Sequence, residues 1–103
     1  MDYKLKVTEL AHQDLDSIVS YIAVQLVNPQ AAANFLDEVE KCYDNLKKMP
    51  EMYAKCRDSR LEKEGYRKAV IKNYILIYKV QENTRTVVIL RFFYGARDYK
   101  NLI

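Results

Sequence analysis

With 103 residues, half of them hydrophobic, two Gly, two Pro and no repeating period, the chain is sized for one compact domain over residues 1–103; a solenoid and a disordered polymer are excluded. Two Cys, Cys42 and Cys56, stand with a single His12, too few ligands for a tetrahedral metal set, so no metal and no cofactor is expected. The net charge of +3 is unevenly spread: residues 1–50 carry five Lys and eight acids, a sum of −3, whereas residues 51–103 carry twelve Lys or Arg and six acids, a sum of +6. A basic half of this kind attracts phosphate backbones or an acidic polypeptide over roughly a Debye length, about 8–10 Å in salt. The opening residues lack the apolar stretch of a signal peptide and nothing later approaches a membrane span, so a cytoplasmic protein with reduced thiols and no membrane contact is expected.

Residues 2–7 alternate, with Tyr3, Leu5 and Val7 on one side and Lys4 and Lys6 on the other, which predicts a half-buried strand. Thr8 then suits the cap of a helix whose apolar residues Ala11, Leu15, Ile18, Val19, Ile22 and Leu26 recur at three- and four-residue spacings. Asn28-Pro29 reads as the cap and first turn of a second helix, with Ala32, Phe35, Leu36, Val39, Cys42, Tyr43 and Leu46 as its stripe and Lys47, Lys48 and Pro50 at its end. The short joint predicts an antiparallel helical hairpin. Residues 51–64 show no period and many charges, predicting an exposed, mobile connection with room for a short helical turn. Three β-rich runs follow at 66–72, 74–80 and 85–94, broken at Asn73 and at 81–84. The expected fold is α+β, in the order β-α-α-β-β-β. The helical hairpin packs on one face of a small, mainly antiparallel sheet, and the other face is left for partners.

Candidate functional residues gather in the last third. Arg67, Lys68, Lys72, Arg91 and Arg97 are expected to bind a target. On an edge strand such cations equally block unwanted strand pairing, and Arg97 equally serves as a local clamp on the C-terminal tail. Tyr94, beside Gly95, either presents its hydroxyl at a site or continues the face of Val88, Leu90 and Phe92 as core with a wet tip; the core reading is preferred. Tyr66, Tyr74 and Tyr78 are the right type to stack on bases, yet packing between sheet and helices is the expectation. Cys42, on an apolar stripe, is expected as a small buried hydrophobe, and His12 as a solvated side chain.

Taken in order, Ala11-x-x-Asp14-Leu15-x-x-Ile18, Asn28-Pro29, Gly65-Tyr66-Arg67, Tyr74-x-x-x-Tyr78-Lys79-Val80 and Tyr94-Gly95-Ala96-Arg97-Asp98-Tyr99 resemble the RelE/ParE superfamily of bacterial toxins over essentially the whole chain. The resemblance implies the toxin of a type II toxin-antitoxin, plasmid-stabilising module: a protein that inhibits growth and is silenced by a cognate antitoxin wrapped around it, as a hetero-oligomer. It also implies one of two targets. RelE-like members cut messenger RNA on the ribosome without a metal, whereas ParE-like members poison DNA gyrase. The Gly95-Ala96-Arg97-Asp98 ending resembles the ParE branch.

Metal-free RNA cleavage needs groups that take the 2′-hydroxyl proton, stabilise the charged phosphorane and protonate the leaving oxygen. If the chain were such a ribonuclease, the resemblance would assign Arg67, Tyr94 and Arg97 to that work. Ile75, however, stands where ribonuclease relatives usually carry Arg, and Tyr94 where many carry His. A neutral tyrosine, with a phenol pKa near about 10, is a poor base. The expected function is therefore a ParE-like toxin acting by binding its target. A metal-independent endoribonuclease and a non-toxic interaction module are the alternatives.

Overall fold

The predicted order of strands and helices is the observed one, with a short helix added. The computed structural model describes residues 2–95. Lys4–Val7 forms β1, Glu9–Ser20 α1, Pro29–Lys48 α2, Ser59–Lys63 α3, Arg67–Ile71 β2, Tyr74–Gln81 β3 and Thr86–Tyr94 β4. The helix starts are set by side-chain caps: Thr8 Oγ1 accepts from Ala11 N and Asn28 Oδ1 from Ala31 N, both at 3.1 Å, and Asp58 caps α3. Pro29 sits in the first turn of α2, and Lys47 and Lys48 stand in its last turn, at the negative end of the helix dipole.

One sheet holds all four strands in the order β1-β4-β3-β2. β1 runs parallel to β4, and the other pairs are antiparallel. That parallel pairing needs a long connection: the helical pair carries the chain from β1 across to β2 at the far edge, and β2 and β3 bring it back to β4. The β2–β3 reversal takes two residues, with Lys72 in the left-handed region at φ 57°. A bulge interrupts β3–β4 pairing after Ile77, so Leu90 is an extra residue on β4.

Two expectations fail for physical reasons. The predicted stripe of the first helix breaks at a π turn over Tyr21–Gln25, where Leu26 N donates to Tyr21 O. The wider turn keeps Ile22 buried and swings Leu26 out to solvent. The chain then reverses through Val27 at φ 48°, a conformation that costs a β-branched residue roughly 1–2 kcal/mol.

The second failure concerns residues 51–64, which are not an exposed connection. Cys56 and Leu61 are wholly buried and join Ile75, Ile77 and Phe93 in a second core on the sheet face away from α1 and α2. Backbone bonds hold this segment to β2: Lys68 N donates to Ala54 O and Cys56 N to Tyr66 O. The face expected to be left for partners is therefore largely covered. The main core lies on the other side, where Phe35, Val39, Cys42 and Leu46 of α2 meet Leu76, Tyr78, Ile89 and Phe92. Burial raises both thiols above their ordinary pKa, which leaves Cys42 and Cys56 inert as nucleophiles.

Two measurements test this packing. Leu61→Ala is expected to cost about 2–4 kcal/mol in urea denaturation, as for a core leucine, against less than about 0.5 for an exposed loop position. Tyr78 is fully buried, donates to Pro50 O at 2.8 Å, and burial pushes its pKa up to about 12. The folded phenol holds its proton longer than the unfolded one, so this contribution is whole below about pH 10 and is lost as pH rises toward about 12. Its size is about 2 kcal/mol. A pH series on Tyr78→Phe should lose that share of the alkaline limb, while Tyr43, which burial also pushes up to about 12, keeps its own; an unchanged limb would refute the assignment.

Candidate functional site

The expected cationic surface is divided by the fold. Arg67 opens β2, and its guanidinium turns inward: Nη1 donates to Tyr53 O at 2.6 Å, and Nη2 lies 3.5 Å from Glu51 Oε2. Only 15% of the Arg67 side chain is exposed. The residue is a pin for the segment after α2, because it satisfies carbonyls that the turn leaves unpaired.

Arg91 is committed in the same way. It donates from Nε to Asp14 Oδ2 at 2.7 Å and from Nη2 to Asp14 Oδ1 at 3.1 Å. Asp14 Oδ2 also accepts from the Phe92 backbone N–H at 3.1 Å. This paired carboxylate raises the Arg91 pKa beyond its already high ordinary value, through the hydrogen bond first. The guanidinium also lies 4.8 Å over the Phe93 ring.

Lys68 pairs across the sheet with Ile77, so it projects on the side of the second core near Cys56. Lys72 stands exposed at the β2–β3 turn. Arg97 lies outside the described residues, as do Ala96, Asp98 and Tyr99. Arg67 and Tyr94 are not brought together. Arg67 pairs with Tyr78 and Tyr94 with Tyr74, at opposite ends of the same stretch of β3, which puts their backbones roughly 16 Å apart across three strands.

What the fold does assemble around Tyr94 is aromatic. Tyr94 is half exposed rather than core, its ring 5.7 Å from Tyr74, which in turn lies 5.2 Å from Phe35. With Asp14, Ser17, Ile18, Tyr21, Phe92 and Phe93 these tyrosines line a cleft of about 400 Å³. Burial raises the Tyr74 pKa, so its hydroxyl stays protonated and is no base at neutral pH. The cleft offers stacking surface and one carboxylate that is already bonded to an arginine. After Tyr94 the chain lies tight against the β2–β3 turn: Gly95 N donates to Asn73 O at 2.8 Å, and a Cβ there would stand 3.0 Å from that oxygen.

Sequence reasoning missed Asp14 as a determinant, although a signal existed. It falls three residues after Ala11 and four before Ile18, on the inward stripe, where an acid requires a partner. Among the described residues no group of three or more His, Cys, Asp or Glu side chains is gathered closely enough to hold a metal ion. No described helix is long and apolar enough to cross a membrane.

The sequence pattern described as the ParE toxin of the type II toxin-antitoxin system, parDE, matches residues 5–99. No curated protein matches the chain by sequence. Among solved structures, the chromosomal ParDE toxin-antitoxin system from P. aeruginosa aligns with TM-score 0.70 and 22% identity, covering 89% of this chain and 95% of that one. The toxin-antitoxin complex RelBE2 from Mycobacterium tuberculosis gives 0.64 and 24%, covering 91% and 99%. A mutant of the E. coli toxin RelE in the free state gives 0.65 and 18%, covering 99% and 93%. At these identities the likeness to the solved structures is one of fold.

The Asp14 clamp is open to a double-mutant cycle in urea. Asp14→Ala is expected to cost about 2 kcal/mol, since it strands a half-buried guanidinium and an N–H; Arg91→Met costs less, and the two together less than their sum. Strictly additive values would show that the pair is not coupled.

Proposed function

The chain belongs to the ParE toxin family of type II toxin-antitoxin systems, and from that premise we propose that it arrests growth in the cytoplasm by binding DNA gyrase through its basic C-terminal half and is silenced by a cognate antitoxin. The observation that carries the choice of target is the internal use of the arginines. Arg67 is spent on Tyr53 and Glu51, and Arg91 on Asp14. A metal-free ribonuclease has to surround one phosphate with cations and a proton donor within hydrogen-bonding reach. Arg67 and Tyr94 stand too far apart for that. Lys72 and Arg97 are the cationic positions we assign to target contact, and their role there is binding.

An antitoxin partner is supported by the M. tuberculosis relative, a toxin-antitoxin complex by its description. The excess of positive charge in residues 51–103 suits an acidic polypeptide as that partner.

Expression without the antitoxin should stop growth. Purified protein should inhibit supercoiling by gyrase, and messenger RNA in a translating extract should remain intact. Unchanged supercoiling at excess protein would overturn the gyrase reading, and codon-specific cleavage in the extract would install the ribonuclease in its place.

A further inference from the structure

Lys72 opens the two-residue reversal between β2 and β3 in the left-handed region, at φ 57°. Gly or Asn adopts that conformation readily, whereas a lysine is held there against its steric preference. Its side chain is exposed, and among the described residues no carboxylate forms an ion pair with it. Glu38, which lines a recess together with Lys72, is held by Lys41 at 3.6 Å. Lys72 also lines a second hollow, a notch of about 250 Å³ formed with Ile22, Leu26, Phe35, Tyr74 and the Asn34 amide. Leu26 is 55% exposed there, and its neighbour Val27 81%. Residues 17–36, the hairpin end that supplies most of this lining, contain no Asp, Glu, Lys, Arg or His. One ammonium thus borders an apolar seat to which the helices add no charge of either sign.

We propose that an acidic segment of the antitoxin docks here, with one bulky apolar side chain in the notch and a nearby carboxylate on Lys72. At about 250 Å³ the notch falls below the range of about 300–1,000 Å³ that small-molecule sites occupy, and it suits a single side chain. The ammonium then selects among partners. A wholly apolar one would bury Lys72 without a counter-charge, a cost that the apolar contact would have to overcome. A second copy related by a two-fold axis through this end would bring Lys72 toward its own counterpart. A nucleic-acid strand carries a charge at every nucleotide and needs cations in series, where the notch has one among its lining residues. An acid close to a large apolar residue satisfies both features at once, and the strain held at Lys72 is of the kind that persists where a site requires it. The docked segment also covers a cation assigned above to target contact. The inference rests on the reading that an antitoxin silences this chain, and adds where it docks.

Titration calorimetry of the purified full chain with its cognate antitoxin, at low and at high salt, tests it, with Lys72→Gly and Leu26→Ser run alongside. Lys72→Gly removes the ammonium and the left-handed strain together. Its melting temperature should hold or rise, while affinity falls at least tenfold at low salt and by less at high salt, where charge is screened. Leu26→Ser alters a half-exposed wall of the notch and should weaken binding by a similar factor at both salts. A wild type that binds, with both variants binding equally well, would overturn the docking site and leave the antitoxin reading standing. A wild type that binds no antitoxin would overturn both. Loss with Leu26→Ser alone, Lys72→Gly binding as the wild type does, would describe a contact indifferent to charge and also overturn the proposal.

Discussion

Ile75, Leu76, Ile77 and Tyr78 run through the middle of the sheet with both faces apolar, and all four are buried. A strand of that kind has to be covered on two sides, because successive side chains point to opposite faces and neither set tolerates water. The helical pair covers Leu76 and Tyr78. Among the described residues, 51–64 cover Ile75 and Ile77, and they do so with Cys56 and Leu61. The location of every free surface follows from this double coverage. Faces are consumed by cores, so partners are left the edges, the turns and the ends of the elements.

The edges in turn dictate where charge is used. β4 has nine residues and β1 only four, which ends beside Ile89, so beyond that point β4 is paired with β3 alone and its other edge has no strand. Thr8 takes over first, donating its hydroxyl to Leu90 O. Asp14 comes next, its carboxylate accepting the Phe92 N–H that a longer β1 would have bonded. A carboxylate set against a sheet edge needs a counter-charge, and Arg91 supplies it bidentately. The outer edge of β2 is handled in parallel fashion by Ala54, with Arg67 tying down the turn above it. Two of the five cations that look like a binding surface in the sequence are thus requirements of sheet termination.

The sequence makes the helix caps, the two apolar stripes and the three late strands legible because each rests on a local rule that Thr8, Asn28-Pro29 and the β-rich runs obey. The ParE resemblance was legible for the same reason. What stayed hidden depends on contacts made at a distance. Cys56 and Leu61 are too few to show a period, and their burial is decided by the far face of β3. The π turn shifts Leu26 outward by altering the helical phase, which a regular spacing cannot announce. Arg67 bonds to backbone carbonyls, a partner that composition never displays. Asp14 is the intermediate case, since its inward position was readable but its bond to Arg91, 77 residues away, was not.

Committing an arginine to an internal partner removes it as a hand but not always as a field. Arg67 and Glu51 both belong to residues 51–103, so their pairing leaves the sum of that half at +6; Arg91 pairs with Asp14 from the other half, which lowers the effective sum only to about +5. Long-range attraction toward an anionic or acidic partner therefore survives almost whole, while the number of cations able to touch that partner falls. Those are the conditions for a surface that steers and docks. Chemistry on a phosphodiester asks for the reverse, a few cations concentrated within bonding distance of one group, where desolvation strengthens each of them. Among the described residues, a fold that spends Arg67 and Arg91 on its own seams keeps the first property at the expense of the second.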